Sequence, residues 1–230
     1  MAFGEGAGMK IILLGDSTIQ TYGADRFPQT GWGQVFPRFV RKEIPVLNFG
    51  KGGASSKSFY EQGYFGIAKA YIEAGDFVFI QFGHNDQKPE EYRRTEPYTT
   101  YQECLKRLID EARELKAQPL LLSSVYRRHF DSEGHLLANV HGEYPAAMES
   151  LAKKEEVPFI DVCRLSADSL HNLGEEESRK LYMFFGPGIH PNYPEGSSDN
   201  THLSYLGAFW IAGMVATELK TQNILTECLI

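Results

Sequence analysis

The sequence predicts a three-layer α/β/α sandwich on a five-stranded parallel sheet, and three observations carry that prediction. Short apolar runs alternate with longer helix-like segments along the 230 residues, and such alternation yields parallel strands with right-handed crossovers. The apolar runs show little polar alternation, as expected of strands covered on both faces. They also end in clusters of Gly, Asp, Asn, Ser and His, and open α/β sheets bind ligands at the carboxyl ends of their strands.

Taken in order, the first strand is 11–14 (IILL), followed by Gly15-Asp16-Ser17-Thr18. A helix is predicted over 32–42, a second strand over 46–49, and a helix over 57–74 after the glycine-rich turn. The third strand is 77–82 and runs into Gly83-His84-Asn85-Asp86. The clearest helix is 101–117, where Leu105, Leu108, Ile109, Ala112 and Leu115 share one face. A fourth strand over 120–125, a helix over 142–155 and a fifth strand over 159–162 follow. A long irregular stretch then leads through Ser197-Ser198-Asp199-Asn200-Thr201-His202 to a last helix from about 204 to 220. The length suits one domain, assigned to 9–230. Residues 1–8, MAFGEGAG, lack the basic start and apolar centre of a signal peptide and read as a disordered leader or expression remnant.

Composition narrows the function classes. A formal net charge of −7 with scattered basic residues argues against a nucleic-acid partner. No apolar stretch reaches bilayer length, so no membrane partner is expected. Three widely spaced cysteines, Cys104, Cys163 and Cys228, suit neither a disulfide framework nor a thiolate metal site and point to the cytoplasm. His129, His135 and His141 fit no ligand pattern and read as solvated side chains, so no metal is expected. The stretch 52–58 lacks the glycine before lysine that a Walker loop needs. No G-x-S-x-G elbow is present.

The strand-end clusters have a joint chemical logic. A serine hydroxyl such as Ser17 is a weak nucleophile until a base lies within hydrogen-bond reach. His202 supplies that base if the loop before the last helix folds back over strand one. Asp199, three residues earlier, can hold the imidazole from its other nitrogen, the logic of a Ser-His-Asp triad. The oxyanion formed on attack needs preorganised donors. The backbone N–H groups of Ser17 and Gly53 and the Asn85 side-chain amide are the candidates. Gly53 suits the role because a residue without Cβ lets substrate approach the backbone. Trp32, His84 and Tyr193 are candidate substrate-binding residues, Trp32 first among the aromatics that could stack on a sugar face.

GDST, the Gly53 segment, GHND and DNTH resemble the four blocks of the SGNH hydrolases, the GDSL-type esterases. The resemblance spans about residues 9–220 and maps that family's catalytic Ser, Gly, Asn and His onto Ser17, Gly53, Asn85 and His202. Thr18 departs from the Leu of many relatives. The flanking residues 53–59, 83–86, 192–196 and 199–202 with Gly207-Ala208 look like the rhamnogalacturonan acetylesterase branch. The resemblance implies the flavodoxin-like SGNH fold, no cofactor, and removal of acetyl groups from pectin-derived oligosaccharides through an acyl-enzyme. A lipase, thioesterase or acetylxylan-type esterase of the same fold is the alternative among enzymes. Outside enzymes the alternative is an inactive sugar-binding module. The sugar, the acetylated position and the oligomeric state are not specified by these motifs.

Overall fold

A computed structural model describes residues 8–230. The reading of residues 1–8 therefore lies, Gly8 excepted, outside the described residues. Strands β1 (Ile11–Gly15), β2 (Val46–Asn48), β3 (Phe77–Gln81), β4 (Gln118–Leu122) and β5 (Phe159–Ile160) form a parallel sheet in the order β2-β1-β3-β4-β5. Side chains on a strand alternate between faces, and here both faces are covered. Ile11, Leu13, Phe79, Leu120 and Leu122 pack into one core. Ile12, Leu14, Val78, Ile80 and Leu121 pack into the other. This explains the unbroken apolar runs.

Five helical segments answer to prediction, with local corrections. The first is cut to α1 (Trp32–Val35) and continues as a 3-10 turn, Phe36–Phe39, because Pro37 cannot donate an interior helix bond. The second divides into α2 (Ser56–Glu61) and α3 (Tyr64–Lys69) at Gly63, whose φ of 81° is left-handed. Helices α4 (Gln102–Glu114) and α5 (Tyr144–Lys154) stand close to their predicted places. The long irregular stretch is the main correction. It contains α6 (Val162–Ser178), capped by the Asp161 side chain, and an antiparallel hairpin of β6 (Tyr182–Phe185) with β7 (Ser197–Leu203). The last helix, α7 (Tyr205–Thr221), follows directly.

Strand order reverses between β1 and β3, the topological switch point where open α/β sheets place their ligand crevice. The register sets Gly15 beside Gln81, so Asp16-Ser17 and the turn after β3 emerge side by side. The hairpin reaches the same end of the sheet and turns straight into α7.

Gly207, in the first turn of α7, fixes how closely that helix approaches. A Cβ there would lie 1.8 Å from the Leu181 carbonyl oxygen, a backbone atom that has no room to yield. Alanine ordinarily favours a helix over glycine by about 1 kcal/mol. Gly207→Ala is nevertheless expected to destabilise the protein by about 1–3 kcal/mol through overpacking. A lowered urea midpoint checks this; an unchanged midpoint contradicts it.

Candidate active site

Ser17 sits in the turn that leaves β1. Asp16, fully buried, accepts from the Thr18 N–H and hydroxyl through Oδ1, at 2.8 and 2.9 Å, which closes a tight polar turn around Ser17. The Tyr22 hydroxyl donates to the Ser17 carbonyl at 2.8 Å. Below the turn, Gln81 Oε1 accepts from Thr18 Oγ1 and from Trp32 Nε1, while its amide donates to the Ser123 carbonyl. Thr18 is thus part of the support, which a leucine could not be. Trp32 is fully buried in this network. Its expected role in sugar stacking is corrected, because its ring lies in the core and its N–H is committed to Gln81.

The hairpin carries the other side. His202 Nε2 lies 3.1 Å from Ser17 Oγ, and His202 Nδ1 lies 2.6 Å from Asp199 Oδ2. The Asp199 Oδ1 also accepts from the N–H groups of Thr201 and His202 at 2.7 and 3.0 Å. Burial alone would raise the Asp199 carboxyl, but the His202 bond and charge with these two N–H groups outweigh it and hold it near about 2. The structure therefore brings Ser17, His202 and Asp199 into one chain of contacts. The segment that does so is a strand, not the loop expected from sequence.

Arg128 braces that strand and was missed in the sequence reading. It is 2% exposed, its guanidinium donates to Asn200 Oδ1 and Ser178 Oγ at 3.0 Å each, and its backbone N–H donates to the Asn200 carbonyl. Phe184 and Phe130 lie 4.8 and 5.2 Å from its guanidinium carbon. The signal available was an Arg-Arg pair at a strand's carboxyl end, where a buried cation needs several acceptors.

Of the three residues expected to donate to the oxyanion, Ser17 and Gly53 line the cleft and Asn85 is not among its lining residues. In the loop after β2, the Lys51 and Ala54 N–H groups donate to Gly15 and Lys51 carbonyls, and that of Gly52 to the Gln20 side chain. Gly53 is left over, without a turn or cap hydrogen bond among the described residues, and lines the cleft. Its φ of 78° is the reason for glycine, since a Cβ would meet nothing within 4 Å. Asn85 is buried and donates one amide N–H to the Ala54 carbonyl at 2.9 Å, which fixes the amide beside this loop.

A cleft of about 340 Å³ opens over these groups, lined by Ser17, Gln20, Tyr22, Gly53, Asp199 and His202 and, on its far wall, by Arg26, Gln29 and Tyr193. Tyr193, a candidate substrate-binding residue from sequence, lines this cleft. Its hydroxyl donates to the Arg26 carbonyl and to Gln29 Oε1. His84 does not line the cleft. It is 3% exposed and packs edge-on against His141 at 4.7 Å, and burial with the His141 and Arg127 charges pushes it well below the usual imidazole range. His141 is corrected as well. It is buried, with Nε2 2.9 Å from the Val125 carbonyl oxygen, not solvated.

Residues 13–194 match the GDSL-like Lipase/Acylhydrolase family. The chain is 44% identical to the rhamnogalacturonan acetylesterase RhgT of Bacillus subtilis over 216 residues, covering 94% of this chain and 91% of that one. It is 41% identical to a probable rhamnogalacturonan acetylesterase, YesY, of the same organism over 96% and 97% of the two chains. Among solved structures, B. subtilis YxiM superposes with a TM-score of 0.80 at 28% identity, over 94% of this chain and 57% of that one. The acetylxylan esterase Axe2 of Geobacillus stearothermophilus shares the fold, with a TM-score of 0.66 at 17% identity over 93% and 95%.

Asp16 also supplies a test of the buried turn. Its Oδ2 has no hydrogen-bond partner among the described residues, and burial pushes its carboxyl up to about 6 against the pull of Thr18, His202 and Arg127. An unfolded Asp titrates near about 3.9. Its contribution is therefore fully present below pH about 4 and is lost as pH rises through about 6. Asp16→Asn keeps the Oδ1 acceptor and removes the ionisation. Urea midpoints should show wild type losing ground to Asp16→Asn between pH 4 and pH 7; a constant difference contradicts this.

Proposed function

The chain belongs to the GDSL-like lipase/acylhydrolase family and is a carboxylic ester hydrolase, and from that premise we propose that it is a serine acetylesterase acting on acetylated, rhamnogalacturonan-type oligosaccharides. The observation that carries the reading is the Ser17–His202–Asp199 contact chain at the base of an open cleft. The substrate class follows the full-length likeness to RhgT.

In this reading, His202 Nε2 takes the Ser17 hydroxyl proton as Oγ attacks the acetyl carbonyl carbon. Asp199 orients the ring through Nδ1–H and offsets the charge of the imidazolium that forms. The carbonyl electron pair moves onto oxygen, where the Ser17 and Gly53 N–H groups and the Asn85 amide receive it. Collapse breaks the bond to the sugar oxygen, which leaves with the proton from His202. Water, deprotonated by His202, then attacks the acetyl-Ser17 ester, and acetate departs as Ser17 Oγ regains its proton. One Asn85 amide N–H is taken by the Ala54 carbonyl, and the second is the one assigned to the oxyanion.

Acetate release from acetylated rhamnogalacturonan and acetylated xylan fragments tests this. Wild type should favour the former. Ser17→Ala should lose at least about 10⁴-fold in kcat with an unchanged urea midpoint, and Asn85→Ala about 10²–10³-fold. Undiminished turnover by a folded Ser17→Ala overturns the assignment.

A further inference from the structure

The far wall of the cleft carries an arginine that the hydrolytic steps leave idle. The chain has 30 acidic and 23 basic side chains, and several of its buried or half-buried cations find acceptors. Arg128 is spent on Asn200, Ser178 and Glu175; Arg93 on Glu90; Lys69 on Glu111. Arg26 differs. It is the one lysine or arginine lining the cleft among the described residues. Its side chain makes one hydrogen bond there, Nη2 to the neutral Gln29 Oε1 at 3.3 Å, and pairs with no carboxylate among the described residues.

Its placement is nonetheless heavily determined. The Arg26 N–H donates to the Gly23 carbonyl, and its own carbonyl accepts from the Gln29 N–H at 2.8 Å and the Tyr193 hydroxyl at 3.0 Å. Asn192 Nδ2 clamps the flanking Ala24 and Phe27 carbonyls at 2.9 and 2.8 Å. Gln29, which tethers the guanidinium, is itself buried and bonded by Tyr193. Residues 192 and 193 belong to the loop between β6 and β7. The same hairpin that delivers His202 thus fixes where Arg26 stands. The Arg26 side chain is itself exposed and lines the cleft, and the other fixed charge there, Asp199, is engaged by His202.

We infer that Arg26 is a specificity residue that binds a substrate carboxylate, so that the preferred substrate is an acetylated oligosaccharide with a uronic acid beside the acetylated sugar. The inference rests on the acetylesterase reading and extends it. A guanidinium presents a planar fork of donors matched to a carboxylate. Held at one nitrogen by a neutral amide, it keeps both its charge and the remaining donors for the ligand. Lysine would supply the charge without the fork.

The test compares two acetylated oligosaccharides that differ in one respect, the uronate carboxyls being intact in one and reduced to alcohols in the other. The quantity read is the ratio of kcat/KM for the acidic fragment to that for its reduced counterpart. Any partly unfolded fraction of a variant cancels in this ratio. Wild type should favour the acidic fragment at least tenfold, mainly through KM, and less so as salt is raised. Arg26→Gln should bring the ratio close to one, and Arg26→Lys should fall between. Equal ratios in wild type and Arg26→Gln overturn the role of Arg26 while the acetylesterase reading stands. If wild type releases acetate from neither fragment, both fall.

Discussion

A contact between residues 185 positions apart, Ser17 Oγ to His202 Nε2, is the constraint around which the rest of the molecule is arranged. The parallel sheet holds one end of it. Ser17 leaves β1 at the switch point, in a turn pinned from within by Asp16 and from below by Gln81 and Trp32. The other end lies outside that sheet, on β7 of a separate two-stranded hairpin. Two strands alone are marginal in water, so the hairpin needs outside support. Arg128 supplies it by bonding Asn200 in the middle of β7, and Gly207 supplies it by letting α7 close directly onto Leu181.

The polar groups divide cleanly by task. Those under the turn are buried and bonded mostly to one another, which makes a stiff floor and leaves little that substrate could touch. Above it, Gly53 lines the cleft with no turn or cap partner for its N–H among the described residues, and His202 meets Ser17 through Nε2. A buried polar group with a partner is cheap, and one without is costly. Within that floor, Asp16 Oδ2 is a buried atom without a partner among the described residues.

Much of this was legible in the sequence, for definable reasons. Five buried strands announce themselves because both faces of the sheet are covered, and Ser17, Gly53, Asn85, Asp199 and His202 stand out because polar clusters interrupt apolar runs at strand ends. The hairpin was not legible. Its second strand, SSDNTHL, is half-buried and polar, with no apolar alternation to mark it. Helix α6 was hidden because its start, Val162, was absorbed into the fifth strand, although Asp161 in its midst was a cap waiting to be read. Trp32 misled because an aromatic near the strand ends suggested sugar stacking, whereas its indole N–H answers a buried glutamine 49 residues away in sequence. His141 misled because its polar neighbours said nothing of the Val125 carbonyl it would meet.

The central claim is that the hydroxyl of Ser17, activated across the fold by His202, becomes covalently acylated during ester hydrolysis. Treatment with a p-nitrophenyl dialkylphosphate, followed by intact-mass and peptide mass spectrometry, reads that claim directly. The account predicts one dialkylphosphoryl adduct per chain, located on Ser17, with esterase activity lost in proportion to labelling. Complete labelling at a different residue, or loss of activity with Ser17 unmodified, would contradict it.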